Sequence, residues 1–359
     1  MGANIIVGGF WGDEGKGLVS AWQAYRDQSL GVFRGCGGTN PEHGLFFGEH
    51  YIVTNQLPLG FILSEALVGL GPGTAVNVDK FLSEVNRFRL PVEKVRIDPL
   101  CPIITSENIQ EETHSSSMKA IGSTKSGTGI AMAHAALRIA PLARDIPALQ
   151  PYLEDIPELA NRLARQGTIN LEGTQGTFLS RYHGEYPNVT SVDVTAPSII
   201  AGVGLNWRLV NNVIVCVKAL PTREGTGSMG AVDEFSVEEM QTRGILEYSS
   251  IIDPKTGQRQ IRRKAKGIDY ALLVRIIKLN GANQIALTFA EHYDPDVRDV
   301  RQWGHLTGKV KNLISEIERQ TGVEVTLVNT GKPWTSMASK HDDLPVVSDT
   351  LQARLRTYC

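Results

Sequence analysis

Three features of the 359-residue sequence predict an α/β fold with a mostly parallel central sheet flanked by helices. Short runs rich in Val and Ile alternate with segments whose apolar residues recur at three- and four-residue spacing. The runs do not alternate cleanly with polar residues, which marks strands buried on both faces. The first run is also followed by a glycine-rich turn and then a helical pattern, the order from which a phosphate cradle is made.

The expected strands are residues 4–8, 30–34, 168–171, 213–219, 284–289 and 323–328. The expected helices are 18–26, 157–166, 270–279 and 309–320, the last with Val310, Leu313, Ile314 and Ile317 along one face. No repeat, low-complexity linker or long charge run divides the chain, so residues 1–359 read as one domain with inserted loops. Two stretches look like functional loops. Residues 112–129 are rich in Ser, Thr, Lys and Gly, and residues 253–267 carry Lys255, Arg259, Arg262, Arg263, Lys264 and Lys266. A basic loop alone is more often a solvated surface than a site.

Composition excludes several classes. Hydrophobic content is 42% and charged content 21%, as in ordinary globular proteins, and 36 basic against 38 acidic residues leave a net charge of −2. Nothing there points to a nucleic-acid partner or an acidic membrane. Four scattered cysteines (Cys36, Cys101, Cys216, Cys359) without metal or disulfide spacing are expected to be reduced thiols. The longest apolar runs are too short to span a bilayer, and the first residues lack a signal-segment pattern. The expected location is the cytoplasm (a host's cytoplasm for a viral chain).

The turn Gly12-Asp13-Glu14-Gly15-Lys16-Gly17-Leu18 carries the sharpest chemical signal. It departs from the common P-loop: Phe10 stands where that pattern has Gly, and Gly17 where it has the Mg²⁺-binding hydroxyl. A carboxylate beside a phosphate site is costly unless a metal neutralises it or it has a proton to take, so an Asp becomes a candidate participant. A second cluster, residues 34–44 with Asn40, Glu42 and His43, follows the second strand and is expected at the same sheet edge. A third, Gly122-Ser123-Thr124-Lys125, suits a phosphate monoester, although any mobile loop has similar composition. A fourth, Glu172-Gly173-Thr174-Gln175-Gly176-Thr177, places an amide at Gln175 that suits a purine edge or merely a polar turn.

Taken together, Gly12–Gly17, the Asn-x-x-His of residues 40–43, residues 122–124, residues 172–177, His183-Gly-x-Tyr-Pro-x-Val-Thr190 and Thr222-Arg223-x-Gly-x-Gly227 resemble the adenylosuccinate synthetases in sequence and order. The resemblance runs from residue 4 to about residue 330 and implies a P-loop NTPase-like fold and a homodimer. It also implies the substrates: a purine monophosphate, a nucleoside triphosphate and L-aspartate, with Mg²⁺. By resemblance Asp13 removes the purine N1 proton and binds Mg²⁺, with the carbonyl of Glu42 as a second ligand. His43 donates a hydrogen bond to the 6-oxygen, and Lys16 offsets charge as that oxygen attacks the γ-phosphate. The donor nucleotide would meet residues 12–18, Phe289, Glu291 and Gly331. The acceptor would meet Asn40, Glu42, His43, Ser123, Thr124, Gln175 and Thr190, with Arg138 reaching across a dimer interface.

Three departures from the family pattern bear on the substrates. The guanine-reading Thr-Lys-x-Asp is Thr288-Phe289-Ala290-Glu291 here, which forfeits base discrimination of about 1–3 kcal/mol and favours ATP or dATP over GTP as donor. Asn-Ala-Gly-His-Thr becomes Asn40-Pro41-Glu42-His43-Gly44, where Glu42 either meets an extra purine amino group or faces solvent. The aspartate loop has no clean counterpart. Glu247-Tyr248 begins it, residues 253–257 look like an inserted turn, and Arg262, Arg263 and Lys264 are the candidate carboxylate clamp. These changes resemble a viral branch that converts dGMP to N6-succino-2-amino-2′-deoxyadenylate for 2-aminoadenine nucleotides, the preferred expectation. The alternatives are adenylosuccinate synthesis from IMP and a non-catalytic nucleotide-binding regulator, against which the joint presence of Asp13, Lys16 and His43 weighs.

Overall fold

In the computed structural model, which describes residues 1–121, 123–252, 257–341 and 347–358, nine strands form one sheet among the described residues. They are β1 (Gly2–Gly8), β2 (Gly31–Arg34), β3 (Leu67–Leu70), β4 (Val95–Ile97), β5 (Thr168–Glu172), β6 (Val210–Lys218), β7 (Gln284–Thr288), β8 (Glu324–Asn329) and β9 (Met337–Ser339). The order is β9-β8-β7-β6-β1-β5-β2-β3-β4, parallel throughout except for β9 on β8.

Side chains of β1 alternate between two hydrophobic layers. Ile5 and Val7 face one, packed by α2 (Ile156–Gln166), α3 (Ala196–Val203), α4 (Tyr270–Asn280) and α5 (Gly308–Thr321); Ile6 faces the other, packed by α1 (Lys16–Arg26) through Val19 and Trp22. Local signals fix the helix ends. Thr307, Asp269 and Asp155 accept from backbone N–H groups of the first turns, and Gly204, Gly281 and Gly322 take left-handed conformations at the other ends.

All six expected strands are present within a few residues. Absent from expectation were β3, β4, β9 and the hairpin of His43–Phe47 with His50–Thr54, elements of three to five residues whose pairing comes from tertiary contact. Two expected loops need correction. Glu112 belongs to the helix Ser106–His114, a further helix spans Ser116–Ala120, and Gly122 lies outside the described residues. The basic stretch is partly extended: Arg259–Ile261 pairs with Tyr248–Ile252, and Arg263–Lys264 with Thr222–Arg223, while residues 253–256, with Lys255, lie outside the described residues. Cys36, Cys101 and Cys216 are buried free thiols, and Cys359 is outside the described residues.

The chain turns after β2 press directly on α3: a Cβ on Gly202 would lie 1.7 Å from the carbonyl oxygen of Gly35. Gly202→Ala should therefore destabilise by about 1–3 kcal/mol in urea unfolding, despite alanine's better helix propensity. A gain in stability would contradict this close packing.

Candidate active site

The first loop closes because β1 ends in glycine. A Cβ on Gly8 would stand 2.1 Å from the Gln175 carbonyl and 2.6 Å from the Glu14 carboxylate. Gly12 (φ 90°), Asp13 (φ 62°) and Gly15 (φ 70°) then turn the chain through left-handed conformations. Glu14 is buried inside the turn, accepting from the Gly12 N–H at 2.6 Å and from the Lys16 ammonium at 2.7 Å. Lys16 is buried too, so its charge is already shared with Glu14. Of the acidic pair, only Asp13 turns outward, with 30% of its side chain exposed.

Asp13 Oδ2 is ringed by donors: Lys218 Nζ at 2.8 Å, Arg262 Nη1 at 2.8 Å and the Thr222 hydroxyl at 3.4 Å. Lys218, the last residue of β6, is fully buried and also donates to both oxygens of Glu247, at 2.7 and 3.0 Å. Lys264, equally buried, reaches the same Glu247 at 2.5 Å and His292 Nδ1 at 3.1 Å. Burial alone would lower the Lys218 pKa, but Asp13 and Glu247 outweigh it and the ammonium is held above its ordinary range. Burial opposes ionisation of Glu247 as well, and the two lysines override it, leaving the carboxyl well below the usual range. Lys264 is pushed down to about 8 by burial, against the pull of Glu247, with Lys218 adding repulsion. His292 is pushed down to about 3, first by burial and then by Lys264, and is neutral.

His43 opens the hairpin and lies against α1, where a Cβ on Gly17 would come within 2.7 Å of His43 Cβ. That contact explains glycine where other phosphate loops carry a hydroxyl. His43 Nδ1 lies 2.5 Å from Glu172 Oε1, the carboxylate at the end of β5 that also accepts from Arg34 and the Leu59 N–H. A carboxylate at Nδ1 places the ring proton there. Nε2 is buried with no hydrogen-bond partner among the described residues. Burial lowers the His43 pKa, partly countered by Glu172. The neutral ring therefore accepts at Nε2, and the expected donation to a purine oxygen requires the imidazolium that Glu172 would stabilise.

Other expected residues divide. Gln175 (φ 56°) lies beside the first loop with its Oε1 buried and unpartnered, and Thr190 is tied to Leu179 by its backbone N–H at 2.7 Å. Asn40 accepts from Thr128 at 2.6 Å, while Glu42 is exposed. Ser123 is engaged by Glu112, and Thr124 is exposed. Arg138 caps the helix Thr128–Leu137 on the surface, between Leu137 and Ile139. Phe289 (φ 54°) stands above Lys218, Glu291 is buried with Oε2 unpartnered, and the Gly331 carbonyl is held by Asn329 at 2.8 Å. The three-residue clamp is corrected. Arg263 pairs with Glu234 and holds the Gly227 carbonyl, Lys264 is committed to Glu247, and only Arg262 reaches the first loop. Consecutive extended residues point to opposite faces, which turns Arg263 away from Arg262 and Lys264, both of which reach the cluster of Asp13, Lys218 and Glu247.

Among the described residues no cluster of three or more His, Cys, Asp or Glu side chains is placed to hold a metal ion. Mg²⁺ commonly needs only one or two carboxylates plus substrate phosphates, so the outward carboxylate of Asp13 fits it. The Tyr51 hydroxyl is pushed up to about 12 by burial and then by the charges of Glu42 and Asp13, although nearly half of the residue is exposed, so both acidic groups lie near it. Lys218 was not anticipated as a site residue, and Glu247 only as the start of the aspartate loop. The available signal for Lys218 was a lysine ending a wholly apolar buried run, at the carboxyl edge where the loops meet.

A mostly parallel sheet, a phosphate loop with an outward carboxylate and a histidine–carboxylate pair define a nucleotide-dependent enzyme. The adenylosuccinate synthetase family model matches residues 5–148 and 140–295. The adenylosuccinate synthetase of Archaeoglobus fulgidus is 38% identical over 333 residues, 92% of this chain and 96% of that one. That of Methanocaldococcus jannaschii is 39% identical over 331 residues, 91% and 93% of the two. The fully ligated enzyme from Plasmodium falciparum shares the fold, with TM-score 0.83, 18% identity and coverage of 95% and 100%. A cyanophage S-2L succinoaminodeoxyadenylate synthetase bound to dGMP and dATP superposes with TM-score 0.76 and 25% identity, covering 100% and 99%. The protein is a carbon–nitrogen ligase. It belongs to the adenylosuccinate synthetase family. No helix among the described residues is long and apolar enough to cross a membrane.

The partly buried, neutral His292 makes a pH prediction. Its folded pKa of about 3 lies below the unfolded 6.5, so between these values the unfolded chain binds more protons. Its contribution is intact above pH 6.5 and is lost as pH falls toward 3, by up to about 1.4 kcal/mol per pH unit. In unfolding titrations His292→Asn should flatten the stability profile between pH 6.5 and 5; an unchanged slope would show that His292 protonates freely in the folded state.

Proposed function

We propose that the chain joins L-aspartate to carbon 6 of a 6-oxopurine nucleoside monophosphate, driven by a purine nucleoside triphosphate. The observation that carries this reading is the division of labour in the first loop, where Glu14 is consumed internally and Asp13 alone faces outward. Asp13 takes the N1 proton, and the resulting 6-oxyanion attacks the γ-phosphorus as the bond to the departing diphosphate breaks. Aspartate's amine then attacks C6, and the 6-oxygen leaves with the phosphate. Bound Mg²⁺ would neutralise phosphate charge beside Asp13. Protonated His43 would hold the 6-oxygen through Nε2, with Glu172 steadying the ring. Arg262, anchored by Glu224 at 3.0 Å, is the member of the expected clamp that meets Asp13 and would exchange it for a substrate carboxylate. Exposed Arg138, flanked by Leu137 and Ile139, supports a second subunit on that face.

The archaeal relatives' name supports IMP as acceptor, and we take it as the first reading. A specific observation favours dGMP as the second: Glu42 stays exposed near Tyr51, on the rim where it can accept from a 2-amino group. An adenine donor is supported by Phe289, which offers a stacking face, and by Glu291, which stands where the family's guanine-reading Asp would be; burial raises its carboxyl pKa.

Phosphate release should be measured with IMP, GMP and dGMP crossed with ATP, dATP and GTP, with and without aspartate. The expected result is release that requires aspartate and a 6-oxopurine and falls by about 10²–10⁴ in Asp13→Ala. Release indifferent to aspartate would make the chain a nucleotide hydrolase instead.

A further inference from the structure

We propose that Lys218 is a positioning residue that ties the donor-nucleotide pocket to the catalytic base Asp13. The inference rests on the ligase reading above and adds a coupling between its two half-sites. Lys218 ends β6, between β1, whose loop carries Asp13, and β7, whose end carries Phe289. Its ammonium is fully buried, 2.8 Å from Asp13 Oδ2 and 4.2 Å from the centroid of the Phe289 ring. A cation over an aromatic face is attracted to it, so the two contacts share one charge. Glu247 anchors that charge from behind.

Phe289 is itself placed to report on the donor. It adopts a left-handed backbone, and its ring comes within 3.5 Å of where a Cβ on Gly15 would stand, so it lies against the phosphate loop. A donor base stacked on Phe289 restrains the ring, the ring restrains the ammonium, and the ammonium fixes Asp13 Oδ2. The other carboxylate oxygen is thereby presented in one orientation. Phe289 then affects the acceptor's activation as well as the donor's affinity.

The test uses the full-length enzyme with Phe289→Leu, Lys218→Met and the double variant, measuring kcat and each KM for aspartate-dependent phosphate release. Misplacing a reacting group by about 1 Å can cost about 10²-fold in rate, which sets the scale expected for Lys218→Met. Phe289→Leu should lower kcat about 10-fold with donor saturating, beyond any rise in donor KM, and the double variant should be no slower than Lys218→Met alone. A change confined to donor KM in Phe289→Leu, or multiplicative losses in the double variant, would overturn the coupling. Thermal unfolding identifies a Lys218→Met chain that does not fold. In that case the kcat-against-KM split of Phe289→Leu, at a half-buried position, decides alone. Absence of aspartate-dependent release in the unaltered enzyme would remove the ligase reading, and this role with it.

Discussion

Two lysines sealed from water share one carboxylate, and the orientation of the proposed base follows from that arrangement. Removing an ammonium from water costs several kcal/mol even after relaxation, so Lys218 and Lys264 persist at their positions because Glu247 lies between them. Lys218 has valence left for one more anion, and Asp13 supplies it. The cluster fixes the carboxylate through Oδ2, which Arg262 and Thr222 also hold. It also joins β6 to the segment 222–264 and to the end of β7, so the fold and the site depend on the same charges.

Three of the eight non-glycine residues with left-handed backbone among the described residues stand at the loops of the site. Asp13, Gln175 and Phe289 are non-glycine residues in left-handed conformations, each on a loop at the carboxyl edge of a central strand. Such residues cost about 1–2 kcal/mol apiece and persist only where their surroundings over-determine them. Here the surroundings are the packed glycine turn at Gly8, the buried Glu14–Lys16 pair and the Phe289–Lys218 contact. The second polar centre, Arg34 with Glu172 and His43, aligns a ring nitrogen without using the first cluster's charges.

Much of this was legible in the sequence, for physical reasons. Six strands announced themselves as apolar runs and four helices by period and by caps, and the glycine turn by its composition. The strands β3, β4 and β9 were not legible, because they are three or four residues long and pair only once the sheet exists; β2, as short as β3, was marked by the glycine-rich cluster after it. Asp13 and His43 were found as candidates, but the sequence did not show that Glu14 would turn inward or that Glu172 would set the imidazole's tautomer. Within the candidate clamp at residues 262–264 a run of cations looks uniform along the chain, whereas an extended backbone turns Arg263 to Glu234, away from Arg262 and Lys264. Lys218 escaped notice, and Glu247 was read only as the start of the aspartate loop, because their charges meet only through tertiary packing, 29 residues apart.

The central claim is that the purine's own 6-oxygen becomes the nucleophile once Asp13 has taken the N1 proton. Turnover of an acceptor labelled with ¹⁸O at position 6, with aspartate and unlabelled triphosphate, tests it directly by mass analysis of the released phosphate. The account predicts that each phosphate formed carries the label. Unlabelled phosphate accompanying labelled, unreacted purine would mean that water attacks the triphosphate, and the account would be contradicted.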